Sequence, residues 1–145
     1  MSLLYFVTPA WQRFELSRVV FDQRLHTINW LAERGVEARC VVIADDENAD
    51  AAEERGFDVL RHPNYQLGKR FNDGIEHAAR NNADWIIPIG SDSFLDPAYL
   101  FPLPQPGTMR SSNRYAVAKA DRLGQLVIND PRGVGPFMIR PAALP

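Results

Sequence analysis

The sequence predicts an α/β protein with a mostly parallel central sheet, helices on both faces and an antiparallel C-terminal hairpin. Near-continuous apolar runs alternate with segments of helical periodicity over the first two thirds of the chain. This alternation is typical of parallel strands that helices cover on both sides. The last third loses it and indicates short strands between turns. The length of 145 residues is that of one domain.

Strands and helices are predicted in strict alternation. The apolar runs that predict strands are "LLYFVTP" (3–9), "ARCVVIA" (38–44), "FDVLRH" (57–62) and "DWIIPIG" (84–90). Apolar residues at helical spacing predict helices over 14–34, 48–56 and 68–82. Pro88 lies inside the fourth strand and cannot donate to a ladder. We therefore expect either a bulge there or no partner on that side of the strand.

The C-terminal third is predicted to be antiparallel. "RYAVAKA" (114–120) and "QLVIND" (125–130), joined by "DRLG", predict the hairpin. "GPFMIRP" (135–141) predicts one more short strand, and "DPAYLFPLPQPG" (96–107) predicts a helical turn followed by a loop.

Composition limits the partners and the compartment. The net charge of -2 provides no general basic field, so we expect no general nucleic-acid binding. No segment approaches the roughly 18 apolar residues of a membrane span. Cys40 is the only cysteine, which excludes an internal disulfide and fits a reducing compartment. We therefore expect a cytoplasmic protein.

Ligands bind parallel sheets outside the carboxyl ends of the strands. The candidates that follow the predicted strands are Thr8, Pro9, Asp45, Asp46, Arg61, His62, Ser91 and Asp92. The Asp92 carboxylate either holds a divalent metal that bridges phosphates or caps an ordinary turn. Asp45 or Asp46 either accepts hydrogen bonds from a base or ribose or flanks the N-terminus of the next helix.

A basic loop-to-helix junction offers a place for an anion. "LGKRFNDGIEHA" contains Gly68, Lys69, Arg70, Asn72 and Gly74. Helix N-termini and basic side chains bind anions, although a plain amphipathic helix with a basic outer face has the same pattern. Gly74 costs about 1 kcal/mol relative to alanine in a helix, which indicates a close backbone approach. Arg13 either pairs with a phosphate or an acid or is solvated.

Four segments in order carry a resemblance to a known family. They are "VTPAWQR", "VVIADDENAD", "GKRFNDGIEHA" and "ADWIIPIGSDSFLDP". They resemble the motifs of nucleotide-diphospho-sugar glycosyltransferases with the GT-A fold, most closely family 2. The last segment resembles the one that contains this family's Asp-x-Asp metal motif. The resemblance covers residues 4–97 and extends more weakly to 141.

The resemblance implies transfer of a sugar from a nucleoside-diphosphate sugar to an unknown acceptor, assisted by a metal and with inversion. It implies that Asp92 binds Mn²⁺ or Mg²⁺ on the diphosphate and that Asp45 or Asp46 contacts the base or ribose. The other donor-site positions that it implies are Thr8, Pro9, Arg13, Lys69, Arg70, Asn72, Gly74 and Ser91.

The chain departs from the family pattern at three places. Phe71 stands before Asn72 where the family often has Arg, and Arg70 is one position away. Gly90-Ser91-Asp92 stands where the family often has Asp-x-Asp, so one carboxylate remains where two or three are usual. Asp96 adds a second carboxylate to the metal site only if the turn after Asp92 folds back toward it. No residue matches the family's general base after the segment 135–141, and Asp130 is the only nearby acid. We therefore expect one nucleotide-sugar-binding domain over 1–145 that lacks the usual C-terminal acceptor part.

Two other functions stay open. The missing base and the reduced acid motif favour a non-catalytic nucleotide-sugar or protein-binding module. A nucleotidyltransferase uses a similar sheet and metal, but "TPAWQR" lacks the glycines of its phosphate loop. A homo-oligomer is compatible with each of these functions.

Overall fold

The computed structural model describes residues 2–101 and 103, together with the backbone of 109–111, 118–120, 126–128 and 137–139. The elements are β1 (Ser2–Pro9), α1 (Phe14–Ala32), β2 (Val36–Ile43), α2 (Glu47–Glu54), β3 (Asp58–Leu60), α3 (Leu67–Arg80), β4 (Trp85–Pro88), a 3-10 helix (Pro97–Leu100), β5 (Met109–Ser111), β6 (Ala118–Ala120), β7 (Leu126–Ile128) and β8 (Phe137–Ile139). The predicted alternation of strands and helices is confirmed. No helix in the described part combines the length and apolar character needed to cross a membrane.

The central sheet has the strand order β3-β2-β1-β4-β8-β5. The first four strands, β1 to β4, pair with one another in parallel. β8 runs antiparallel to β4 and β5. The predicted α/β fold with a parallel sheet is confirmed. β1 lies between β2 and β4, so the winding reverses beside it. The carboxyl ends of β1 and β4 therefore border the crevice where such sheets bind ligands.

Helices cover both faces of the sheet. On one face, Phe21 of α1 shares a buried cluster with Phe6 of β1. On the other face, Ala78 of α3 packs with Tyr5 and Val7 of the same strand. Successive residues of β1 thus enter opposite cores. This explains why the strand is apolar throughout instead of alternating.

Gly74 lets α3 approach the sheet closely. A Cβ atom at this position would collide with Val7 and lie 2.8 Å from Cδ1 of Ile43. The expected close approach at Gly74 is therefore that of α3 to the sheet. This packing explains the glycine, and no ligand is needed to explain it.

Pro88 is accommodated in β4 without a bulge, because residues 4–7 pair one to one with 85–88. The N–H of Ile89 donates to β1 at 2.9 Å. Successive N–H groups of a strand point to opposite sides, so the nitrogen of Pro88 faces the β8 side. There, one residue pair of the described chain joins β4 to β8. The expected bulge is therefore not present in the pairing of β4 with β1.

The C-terminal part contains short strands. β6 and β7 form a separate antiparallel ladder, but the "DRLG" connection lies outside the described residues, so the hairpin stays a prediction. The predicted helical turn corresponds to the 3-10 helix. Asp96 caps it by accepting a hydrogen bond from the N–H of Ala98 at 3.0 Å.

Candidate functional site

An open cleft of about 460 Å³ lies at the carboxyl edge of the sheet. Its lining comes from the loop after β1, the first turn of α3 and the loop after β4. The lining residues are Pro9, Trp11, Gln12, Arg13, Leu67, Arg70, Phe71, Gly90, Ser91 and Asp92. Five of the predicted site residues are thereby brought together, namely Pro9, Arg13, Arg70, Ser91 and Asp92. The cleft coincides with the topological switch point beside β1.

Asp92 forms an ion pair with Arg13 across the cleft. Nη1 of Arg13 lies 3.3 Å from Oδ2 of Asp92, and the two side chains are 66% and 53% exposed. Oγ of Ser93 donates to the other carboxylate oxygen at 3.3 Å. An ion pair this exposed contributes at most about 1 kcal/mol, so a ligand can displace either partner.

The loop that carries Asp92 is held from below by α1. Nη2 of Arg24 donates to the carbonyl oxygens of Gly90 and Ser93, both at 3.4 Å. Nε2 of Gln23 donates to the carbonyl oxygen of Leu95 at 3.1 Å. The two bonds from Arg24 flank Ser91 and Asp92, so α1 fixes the backbone on both sides of the predicted metal ligand.

Arg24 is a buried cation that the sequence interpretation missed. It is 1% exposed, its Nε and Nη1 have no hydrogen-bond partner among the described residues, and its guanidinium lies 5.3 Å from the ring centroid of Phe6. Burial lowers the pKa of Arg24 from its ordinary value, although a guanidinium stays charged at neutral pH. The available signal was an arginine at helical spacing from Phe21 and Ile28, on the apolar face of α1.

The loop after β1 contains two left-handed residues that are not glycine, Gln12 at φ 52° and Arg13 at φ 47°. Two long-range hydrogen bonds hold it. The N–H of Gln12 donates to Oδ2 of Asp46 at 2.9 Å, and Nδ2 of Asn48 donates to the carbonyl oxygen of Gln12 at 2.9 Å. Backbone strain of this kind persists where the surroundings enforce it, often at ligand sites.

The two adjacent acids after β2 have different surroundings. Asp46 caps α2 by accepting a hydrogen bond from the N–H of Asn48 at 3.0 Å, and its other oxygen holds Gln12. Both oxygens of Asp46 are therefore engaged within the chain. Asp45 is exposed and makes no hydrogen bond with the described residues. Of the two alternatives, Asp45 has the carboxylate that is available to a ligand.

Arg70 joins three segments at the cleft wall. Its Nη2 donates to the carbonyl oxygens of Ala10 at 2.6 Å and Ile43 at 3.0 Å, and its Nη1 donates to Oδ1 of Asn64 at 3.0 Å. The side chain is 5% exposed. Burial lowers the pKa of Arg70, and nearby Tyr65, Asp46 and Asp45 oppose this shift.

The other predicted residues lie outside the cleft lining. Thr8 is buried in β1. Lys69 and Asn72 are exposed on α3, and Nζ of Lys69 lies 5.1 Å from the ring centroid of Tyr65. Gly74 packs on the sheet. Asp130 lies outside the described residues.

His62 belongs to a polar cluster beside the first turn of α3. Its Nδ1 lies 2.9 Å from the hydroxyl of Tyr65 and 3.2 Å from Oδ2 of Asp73. The Tyr65 hydroxyl also donates to Asp73. This hydrogen bond raises the pKa of Tyr65 and lowers that of Asp73. The cluster fixes the loop between β3 and α3.

The described residues offer little to a divalent metal. They contain no group of three or more His, Cys, Asp and Glu side chains that could hold one. Asp92 is the single carboxylate among the described cleft-lining residues, and it is already paired with a cation. Mg²⁺ in nucleotide sites takes one or two carboxylates besides phosphate and water, and the one carboxylate here is held by Arg13. This donor set does not form a prepared divalent-cation site.

No protein-family model matches the chain, and no curated protein matches it.

Proposed function

We propose that the chain binds a nucleoside-diphosphate sugar in the cleft and transfers the sugar to an acceptor. The observation that carries this proposal is the convergence of Arg13, Arg70 and Asp92, from three separate segments, at the switch point of the sheet. Two guanidinium groups beside an open crevice suit an anionic diphosphate.

The surrounding residues support separate places for the diphosphate and for the nucleoside along the carboxyl edge of the sheet. The diphosphate would lie by Arg13 and Arg70. The base or ribose would lie toward Asp45, whose carboxylate is available at the end of β2. Trp11 is 50% exposed on the cleft wall and offers an apolar surface to a ring of the ligand.

In the transfer, an acceptor hydroxyl attacks the anomeric carbon while the bond from that carbon to the diphosphate oxygen breaks. The diphosphate leaves with the electron pair, and the acceptor proton passes to a base. Fixed positive groups beside the leaving oxygen stabilise its developing charge. Inversion and the GT-A relationship follow from the family resemblance alone and stay predictions. Mn²⁺ or Mg²⁺ at Asp92, the C-terminal hairpin and the cytoplasmic location are also still predictions.

A non-catalytic nucleotide-binding module is the second candidate. One observation favours it: no acid of the described cleft lining other than Asp92 can take the acceptor proton, and Asp92 is paired with Arg13. Donor hydrolysis and transfer assays over several acceptors separate the two, since a binding module gives ligand binding without turnover.

The first experiment is thermal unfolding with UDP, GDP, TDP, CDP and ADP. A ligand at about 100 times its Kd adds about 2.7 kcal/mol, a shift of roughly 5–15 °C for a domain of this size. We expect one nucleotide to stabilise the chain and Arg13→Gln to reduce the shift. Arg18→Gln is the matched control, because Arg18 of α1 pairs with Glu47 of α2 at 3.6 Å and lies outside the cleft lining.

Asp45→Asn tests the base side of the site. It should weaken nucleotide binding without weakening the binding of inorganic pyrophosphate, which lacks a base and a ribose. If no nucleotide stabilises the wild-type chain, the proposed function is wrong.

A further inference from the structure

The cleft presents more positive than negative charge. Its charged lining residues are two arginines and one aspartate, although the whole chain carries a net charge of -2. A local excess of cations at a crevice with low-dielectric walls concentrates anions and repels cations. Asp45 and Asp46 lie near Arg70 and oppose the shift of its pKa, so they offset part of this positive charge.

Arg24 adds a further positive charge, buried behind the loop that contains Asp92. Its guanidinium is 1% exposed and contacts the backbone carbonyl groups of Gly90 and Ser93. Arg24 forms no hydrogen bond or ion pair with a carboxylate in the described part of the chain. A buried charge is screened little by salt or solvent. Arg24 thus places a fixed positive charge under the loop that would have to hold a metal.

Asp92 is not free for a metal. Its Oδ2 is paired with Arg13, its Oδ1 accepts from Ser93, and the same oxygen lies against the backbone at Gly90, 3.0 Å from the position of a Cβ there. A divalent cation would have to displace Arg13 and then bind beside two further guanidinium groups. A phosphate instead needs only to replace the Asp92 carboxylate on Arg13, a like-for-like exchange of anions.

We infer that this cleft holds its diphosphate with arginine side chains and without a divalent cation. Arg13 is the direct ligand, and Arg70 and Arg24 supply fixed positive potential from the wall and from below. Asp92 competes with the diphosphate for Arg13 and orients this side chain through the ion pair. The inference rests on the proposed nucleotide binding for its ligand class.

The test is isothermal titration of the full chain with inorganic pyrophosphate and with the nucleoside diphosphates, in excess EDTA and in Mg²⁺ or Mn²⁺. We expect affinities in the two conditions to agree within about threefold. Arg13→Gln should weaken binding about tenfold or more. Asp92→Asn, which removes the competing charge, should tighten binding in EDTA by about threefold to tenfold.

The direction of the Asp92→Asn effect separates the alternatives, because a metal ligand would lose affinity on the same substitution. Asp50→Asn is the matched control, since Asp50 is an exposed aspartate paired with Arg61 at 2.9 Å and lies outside the cleft lining. Binding that requires metal and disappears in Asp92→Asn would overturn the inference and leave the proposed function intact.

The pyrophosphate experiment distinguishes the two failures. If pyrophosphate binds in EDTA through Arg13 while no nucleoside diphosphate binds in either condition, the anion site stands and the proposed function is wrong. If neither ligand binds in EDTA, the inference is wrong.

Discussion

Arg24 occupies a position where the pattern of α1 requires an apolar residue. It lies among the buried residues of this helix, and its Nε and Nη1 find no partner in the described chain. An unpaired buried charge destabilises a fold by several kcal/mol. A residue with this energetic cost indicates a role other than packing, and its contacts place that role at the Asp92 loop.

Arg24→Met should separate binding from stability. Methionine retains an unbranched apolar chain over Phe6 but removes the charge, so we expect the free energy of unfolding to stay constant or rise by about 1–2 kcal/mol. Pyrophosphate binding should weaken about threefold to tenfold. Urea unfolding and calorimetric titration measure the two effects.

Gln23→Met is the control for Arg24→Met, because it removes the neighbouring loop contact to Leu95 without changing the charge. A loss of about 3–5 kcal/mol in Arg24→Met would contradict the prediction. It would show that the hydrogen bonds of Arg24 to Gly90 and Ser93 stabilise the fold by more than the burial of its charge costs.

Asp58 makes stability depend on acid pH. Burial raises the pKa of Asp58, but hydrogen bonds from Tyr5 at 2.5 Å and with His77 at 3.0 Å outweigh it, so the pKa lies below its ordinary value. A depressed folded-state pKa gives stability that is present above the unfolded value of about 3.9 and lost as pH falls through the folded value. Asp58→Asn should therefore flatten the acid side of the stability–pH curve.

Urea unfolding over a pH series measures this effect, with Tyr5→Phe as the companion variant. The Asp58 hydrogen bond is also one cause of the Tyr5 pKa of about 12, after burial. Tyr5→Phe removes the contact while the Asp58 carboxylate remains. The stability of this variant should therefore fall less steeply at acid pH than that of the wild type. An unchanged acid slope in Asp58→Asn would show that the two hydrogen bonds do not favour the ionised carboxylate.

The packing of α3 on the sheet depends on one glycine. A side chain at Gly74 would collide with Val7, a β-branched residue in β1 that has little rotamer freedom. Gly74→Ala gains about 1 kcal/mol of helix propensity but overpacks the contact, and overpacking costs about 1–3 kcal/mol. We expect net destabilisation, measured by urea unfolding.

Gly68 provides a control of opposite sign in the same helix. A Cβ there meets nothing within 4 Å, so Gly68→Ala should stabilise the fold by up to about 1 kcal/mol. If both substitutions stabilise, α3 has room to move away from the sheet and the close contact is not required.

For the whole molecule, the sequence predicted the architecture better than the site. α1 begins at Phe14 as predicted and ends at Ala32, two residues before the expected end, because apolar periodicity is a local signal. The site depends on contacts that join distant segments. Arg24 and Gly90 are 66 positions apart, and Gln12 and Asp46 are 34 apart. No local pattern encodes such pairs, so the anchoring of both cleft loops was missed.

The charge of the whole molecule and that of the cleft predict opposite effects of salt on anion binding. If the net charge of -2 dominated, added salt would screen repulsion and strengthen pyrophosphate binding. If the arginines dominate, salt weakens it, because Arg13 is exposed and the Debye length falls to about 8 Å at physiological ionic strength. We expect affinity to fall several-fold from low to physiological salt, as measured by titration in EDTA at a series of ionic strengths.

Arg13→Gln should flatten this salt dependence, while Arg18→Gln should leave it unchanged. The part of the attraction that comes from buried Arg24 is shielded from mobile ions and should persist at high salt. The residual affinity of Arg13→Gln at high salt therefore measures the contribution of the two buried arginines, and Arg24→Met on that background should reduce it. Affinity that rises with salt would show that the net charge of the chain, and not the three arginines, sets the potential at the cleft.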